Sequence, residues 1–346
     1  MVDWFLAERL AARVAGTAES RRPAANLRAL VADSEQRVIA YTELEPRRPL
    51  PAPEGIERPE WIHANVAGMR TLLDPVLEKA GANAGPLRPA VRIAAGAVLT
   101  LEVGVILGFM AQRVLGQYEL VLIEPAEARD PRLLFVMPNL GGAVKTLEVS
   151  EEEFVRWVAL HEVTHAVQFA GVPWLQPHLA GLVRELLSVM ELRVDAARAL
   201  KFPGRDELRR AVEAVRSGDI ISLVARPEER ATLDALQTAM AVVEGHAEHV
   251  MDAVGADVLP SLPALRAALE RRRSSQSAPA RLLARLLGLE MKMRQYRMGK
   301  AFCDAVVAEG GIERLNRVWS APDQLPTADE LERPRAWLER TRVPVT

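Results

Sequence analysis

Residues 161–165 read His161-Glu162-Val163-Thr164-His165, and no other feature of the chain restricts its fold as much. Residues four apart lie on one face of a helix, so in helical form both imidazoles can reach a single Zn²⁺. Glu162, one residue on, can then reach a metal-bound water as general base. The chemistry therefore requires the pattern to sit well inside a helix, and the flanking sequence complies. Ser150 and Glu153 form an S-x-x-E capping box, and Phe154, Trp157, Val158 and Leu160 begin an apolar period that runs to about Ala170. A metal-free cluster of the same residues would bury three polar groups at a cost in free energy.

A zinc site of this kind needs a third protein ligand and keeps one position open. The metzincin continuation H-x-x-G-x-x-H is absent, because residues 168–174 contain no histidine. Acidic candidates downstream are Glu185, Glu191, Asp195 and Glu244. Of these, Glu244 has the most telling surroundings. Its helical neighbours three and four positions away are Met240, Ala241, Ala247 and Glu248, so a mostly apolar face carries a carboxylate that needs a cation. Gly245 beside it weakens a helix and points to a close approach by another segment. His246 and His249 lie three apart but well away from Glu244 in angle, so they cannot easily share one metal with it. His246 is then a donor to a substrate oxyanion, a residue supporting the ligands, or simply a capping or core histidine. The remaining alternatives for the third ligand are the His246/His249 pair and Glu185 or Glu191.

The rest of the chain reads as mostly helix. Helices are expected at about 3–15, with Asp3 as N-cap, and at 23–40, 61–80, 90–116, 178–200, 205–216, 228–253, 262–273 and 280–309. Pro46, Pro49, Pro51, Pro53 and Pro59 force an extended or looped segment between the second and third. Residues 118–124 and 132–138 are short β-prone runs, a hairpin or a pair of strands, and Asn139-Leu-Gly-Gly142 reads as a loop. The prolines of the C-terminal tail suggest a segment wrapping the surface. The fold class is mostly α, as an α+β protein with a small sheet or hairpin before the His161 helix. A division at 1–117 and 118–346, or one continuous domain, fits the length of 346 residues.

Composition excludes several functions. Lys and Arg number 44 against 46 Asp and Glu, a formal net charge of -2, and aromatics are 5%. That balance argues against a nucleic-acid binder driven by bulk charge, and so few aromatics argue against base-stacking platforms; the run Arg271-Arg272-Arg273 reads as a solvated loop rather than a basic partner-binding patch. Cys303 is alone, so no intrachain disulfide or cysteine-based zinc cluster can form. The N-terminus has no signal-peptide apolar run, because Asp3, Glu8, Arg9 and Arg13 interrupt it. Ile93–Ala111 approaches the length of a membrane span, but Glu102 at its centre and the Gly104-x-x-x-Gly108 spacing favour a buried core helix packed closely on a neighbour. A cytoplasmic protein with no membrane partner is expected.

The pair of motifs, His161-Glu-x-x-His165 and Glu244-Gly-His-Ala, resembles the gluzincin metallopeptidases, with 78 intervening residues in place of a shorter spacer. A fuller match covers nearly the whole chain. Arg58-Pro-x-Trp61-Ile-x-Ala-Asn65, Leu107-Gly-Phe with Arg113-Val-Leu-Gly-Gln-Tyr118, His161 to Phe169, Val250-Met-Asp252, Met291-Lys-Met-Arg-Gln-Tyr296, Leu325-Pro-Thr and Pro334-x-x-Trp337 together resemble the bacterial zincin-like metallopeptidase type 2 family. Members are often labelled as associated with biosynthesis of a deazaflavin coenzyme, and their substrate is not established. The resemblance implies a zincin fold, Zn²⁺ as cofactor and a peptide or protein substrate. On that reading His161, His165 and Glu244 hold the metal and Glu162 is the base. Tyr296, with His246 second, donates to the oxyanion. The strand around Leu133–Met137 would receive an extended peptide by β-addition. A non-catalytic protein retaining the metal site and a small-molecule amidohydrolase are the alternatives.

Overall fold

In the computed structural model, residues 2–17, 23–83, 89–119, 130–191, 227–274 and 289–342 are described. The chain divides into two compact units, Met1–Ala32 with Pro51–Glu162 and Leu187–Lys201, and Asp33–Leu50 with Val163–Leu186 and Phe202–Thr346. Together they form a mostly α, α+β protein with a small sheet.

In the first unit, α1 (Trp4–Ala15) begins where expected, with the Asp3 carboxylate accepting from Leu6 N. The long helices α3 (Arg58–Asn83) and α4 (Pro89–Ala111) pack with it. Gly104 and Gly108 bring α4 onto α1: a methyl at either would fall 2.9 Å from the Ala7 carbonyl oxygen or 2.6 Å from that of Ala11. The core of this unit joins Ala7 and Ala11 to Trp61, Ile62, Leu107 and Leu134. The buried core helix expected at Ile93–Ala111 packs closely through its glycines, but only one of its faces is buried. Val103, Leu107 and Ala111 are buried, but Ile93 and Leu101 are 72% and 56% exposed. Among the described residues no helix is long and apolar enough to cross a membrane.

Three strands, β1 (Pro53–Ile56), β2 (Gly116–Glu119) and β3 (Arg132–Val136), form a sheet ordered β1-β3-β2. β1 runs parallel to β3, with Pro53 opposite Leu133 and Ile56 opposite Val136. β2 runs antiparallel, with Gly116 opposite Phe135. β1 falls in the proline-crowded segment; as an outer strand begun by a proline it tolerates the missing N–H. The expected β-addition at Leu133–Met137 is overturned. β3 is the central strand, both its edges are taken, and Met137 already belongs to a helix.

That helix, α5 (Met137–Leu147), corrects the loop expected at Asn139–Gly142. Pro138 suits its first turn. Asn139 is held by tertiary bonds, its amide donating to Ala111 O at 2.8 Å and to Val114 O at 2.6 Å, while Leu140 is fully buried. Tertiary contacts here override weak helix propensity. α6 (Glu151–Gly171) follows and carries the His161–His165 pattern.

The second unit takes α7 (Leu175–Glu191) as far as Leu186, with α8 (Pro227–Val258), α9 (Leu262–Ser274) and α10 (Leu289–Asn316), and its buried residues include Leu175, Val242, Ala247 and Phe302. The expected helix at 205–216 lies outside the described residues. The C-terminal tail does not merely wrap the surface. It forms α11 (Ala328–Glu332), opened by a Thr327–Glu330 capping box, and α12 (Pro334–Arg340). Trp337 is fully buried edge-on against Phe302 at 5.4 Å, and its indole N–H donates to Gln324 O. A side chain of that size stabilises by more than surface contacts could.

Candidate metal centre

Ser150 Oγ accepts from Glu153 N, weakly, at 3.4 Å, and acidic residues fill the first turn of α6, so the helix starts where the capping box expects. Ten residues further on, His161 and His165 project one turn apart. Leu160, Val163, Ala166 and Val167 are buried around them, which fixes the rotation of the helix. Glu244 comes from α8. One ligand atom from each of His161, His165 and Glu244 lies within 4.8 Å of the others. His165 Nε2 and Glu244 Oε2 are 3.7 Å apart. That is long for a hydrogen bond. It approaches the separation of about 3.4 Å between two ligands of one tetrahedral ion with bonds near 2.0–2.1 Å. Two imidazole nitrogens and a carboxylate oxygen suit zinc in kind and number.

Glu185, the other acidic candidate whose side chain is described, is not among the converging ligands. Glu185 accepts from the Thr232 hydroxyl at 2.9 Å, and the Glu191 side chain and Asp195 are outside the described residues. His249 is committed to a separate network: Nε2 lies 2.7 Å from the Tyr41 hydroxyl and Nδ1 2.7 Å from Asp304, which also pairs with Lys300. The bonds from His249 and Lys300 hold the Asp304 carboxyl below its usual range although burial pushes it the other way.

His246 is fully buried. Its Nδ1 lies 2.9 Å from the Gln168 amide nitrogen, and its ring meets Trp319 edge to face at 5.3 Å. Burial, with smaller contributions from His249 and His165, lowers its pKa to about 3. Of the two roles expected for His246, support of the ligands fits this burial and a substrate contact does not. Tyr296, on α10, is half-buried; burial, reinforced by the Glu244 charge, raises its pKa, so the hydroxyl remains a donor.

α8 and α10 touch at two glycines. A methyl on Gly245 would fall 2.6 Å from Gly299 O, and one on Gly299 would fall 2.6 Å from the Ala241 carbonyl carbon. Gly245 adjoins Glu244 and Gly299 lies one turn beyond Tyr296, so the close approach expected from Gly245 brings those two side chains' helices together.

Glu162 is buried and its position depends on residues that carry no chemistry themselves. Tyr118 N donates to Glu162 Oε2 at 2.9 Å, and a methyl on Gly116 would meet Glu162 Cγ at 2.7 Å. β2 is held in turn by Gln117, whose side-chain oxygen accepts from Trp61 Nε1 at 2.6 Å and lies 3.4 Å from the Asn65 amide. Arg58 donates to Asn139 Oδ1 and to Ala15 O. The Trp61, Asn65, Gln117 and Tyr118 positions of the sequence pattern thus form one scaffold beside Glu162. Sequence reasoning missed Gly116 and the Tyr118 N–H, because a backbone donor leaves no residue signature. It also missed Gln168; a polar side chain in the buried run after His165 was the available signal.

Residues 2–338 match the zincin-like metallopeptidase family. A crystal structure from Chloroflexus aurantiacus, described as a "putative hydrolase with a novel fold", is 29% identical over 98% of this chain and 98% of its own, with a TM-score of 0.71. No curated protein matches the chain. Motifs, fold and near full-length match agree, and the chain belongs to the zincin-like metallopeptidase family.

Proposed function

We propose that this protein is a zinc-dependent hydrolase that cleaves peptide bonds. The convergence of the His161, His165 and Glu244 ligand atoms is the observation that carries the reading. Zinc held by these three residues would supply Lewis acidity to a substrate carbonyl and lower the pKa of a water toward about 7. Glu162 takes a proton from the attacking water and delivers it to the leaving amine nitrogen. The hydrogen bond from Tyr118 N and the packing of Gly116 keep that carboxylate in one place before substrate arrives. The Tyr296 hydroxyl donates a hydrogen bond to the oxygen on which negative charge develops, a role supported by the close crossing of its helix with that of Glu244.

The test is zinc-loaded protein incubated with a broad peptide library, products being read by mass spectrometry. Cleavage by the wild-type chain that disappears in Glu162→Gln supports the reading. Cleavage persisting in Glu162→Gln refutes it, as does a zinc-loaded chain that cleaves amide-bearing small molecules and no peptide.

A further inference from the structure

Gln168 is fully buried on α6, one turn beyond His165, in a stretch otherwise lined by Val163, Ala166, Val167 and Phe169. Its amide makes three contacts. Nε2 donates to Val243 O at 3.2 Å and lies 2.9 Å from His246 Nδ1. Oε1 lies 3.0 Å from His165 Nδ1.

The direction of the amide follows from these partners. A backbone carbonyl can only accept, so the amide nitrogen must face Val243 and the oxygen must face His165. The oxygen in turn requires a proton on His165 Nδ1, which leaves the Nε2 lone pair for the side where Glu244 stands at 3.7 Å. The amide N–H requires His246 Nδ1 to accept, so the His246 proton sits on Nε2. One side chain therefore fixes the tautomers of two rings. The His246 ring, buried against Trp319, stops the amide from rotating.

We infer that Gln168 is the positioning residue of the metal centre, orienting His165 for coordination through its amide oxygen while His246 and Val243 lock the amide. This rests on the zinc reading above. Partners of this type raise ligand basicity and hold the ring, and their loss costs about 10–100-fold in metal affinity.

The experiment measures Zn²⁺ affinity of the full chain by competition with a chromophoric chelator, and the d–d spectrum of the Co²⁺ form. Gln168→Met fills the same space without an acceptor and is expected to weaken Zn²⁺ binding about 10–100-fold and alter the Co²⁺ spectrum. Gln168→Glu keeps an acceptor for His165 Nδ1 and loses the donor to His246. It is expected to stay within about threefold of wild-type affinity, because the acceptor is what supports the ligand. Its His246 proton moves from Nε2 to Nδ1, read by long-range ¹H–¹⁵N correlation of the imidazoles. Wild-type affinity in Gln168→Met overturns the inference. Equal weakening in both variants also overturns it, since that would mean packing alone matters. A wild-type His246 proton on Nδ1 overturns it even if Gln168→Met fails to fold. A wild-type chain that takes up no Zn²⁺ overturns the zinc reading itself.

Discussion

Replacing Gly299 with alanine tests the packing that carries Tyr296 toward Glu244. The added methyl would lie 2.6 Å from the Ala241 carbonyl carbon, and the opposing Gly245 has the same clearance to Gly299 O. Ordinary carbon contacts need about 3.5–4.0 Å. The obstructing atoms are backbone, with the Ala241 carbonyl oxygen nearer still, so no side chain can rotate away and α8 and α10 must separate by more than about 1 Å. Overpacking of this kind costs about 1–3 kcal/mol. At roughly 2–4 °C per kcal/mol for chains of 150–250 residues, a fall in melting temperature of at least about 2 °C is expected. Because Gly245 adjoins Glu244, the separation also moves a proposed ligand, and Zn²⁺ affinity should fall with stability. Differential scanning fluorimetry with chelator competition measures both. A Gly299→Ala variant with unchanged melting temperature and Zn²⁺ affinity would refute the tight crossing and its link to the metal centre.

Glu162→Gln should keep the fold and the bound zinc while lowering peptide turnover by at least about 10²-fold, the usual contribution of a general base; parallel metal analysis and kinetics check this. Gly116→Ala should push Glu162 aside by about 1 Å, since the methyl would meet its Cγ at 2.7 Å. A misplacement of that size costs about 10²-fold in rate, with zinc stoichiometry unchanged. His246 gives an acid-sensitivity prediction. Its pKa is lowered from 6.5 to about 3, so below pH 6.5 the unfolded chain binds a proton that the folded chain excludes. Stability from this group is full above pH 6.5 and is lost as pH falls toward 3, at up to about 1.4 kcal/mol per unit. Denaturant titrations at pH 6.5 and 5 should therefore show a smaller acid loss, by about 1–2 kcal/mol, in His246→Asn than in wild type.

Local spacing made the His161–His165 helix legible, because the capping box, the apolar period and the metal pattern all depend on residues within one or two turns. Glu244 was legible for a different reason: an acidic residue among Met240, Ala241 and Ala247 is unfavourable unless something answers its charge. β1 was not, because a segment of prolines gives no alternating pattern, and its strand character comes from pairing with β3 far along the chain. Asn139 to Gly142 read as a loop because Asn and Gly favour turns locally, whereas Ala111 O, Val114 O and Arg58 hold Asn139 in a helix through contacts no window contains. The positioning of Glu162 by β2 was hidden for the same reason. Tyr118 acts there through its backbone N–H, and Gly116 through the absence of a side chain.

The central claim is that His161, His165 and Glu244 hold one zinc. Zinc content of the purified chain, measured by inductively coupled plasma mass spectrometry beside His161→Ala, His165→Ala and Glu244→Ala, tests it most directly. About one zinc per wild-type chain is expected, the stoichiometry of a single three-ligand site, with loss of tight binding in all three variants. Wild-type zinc content in Glu244→Ala, or in either histidine variant, would contradict it.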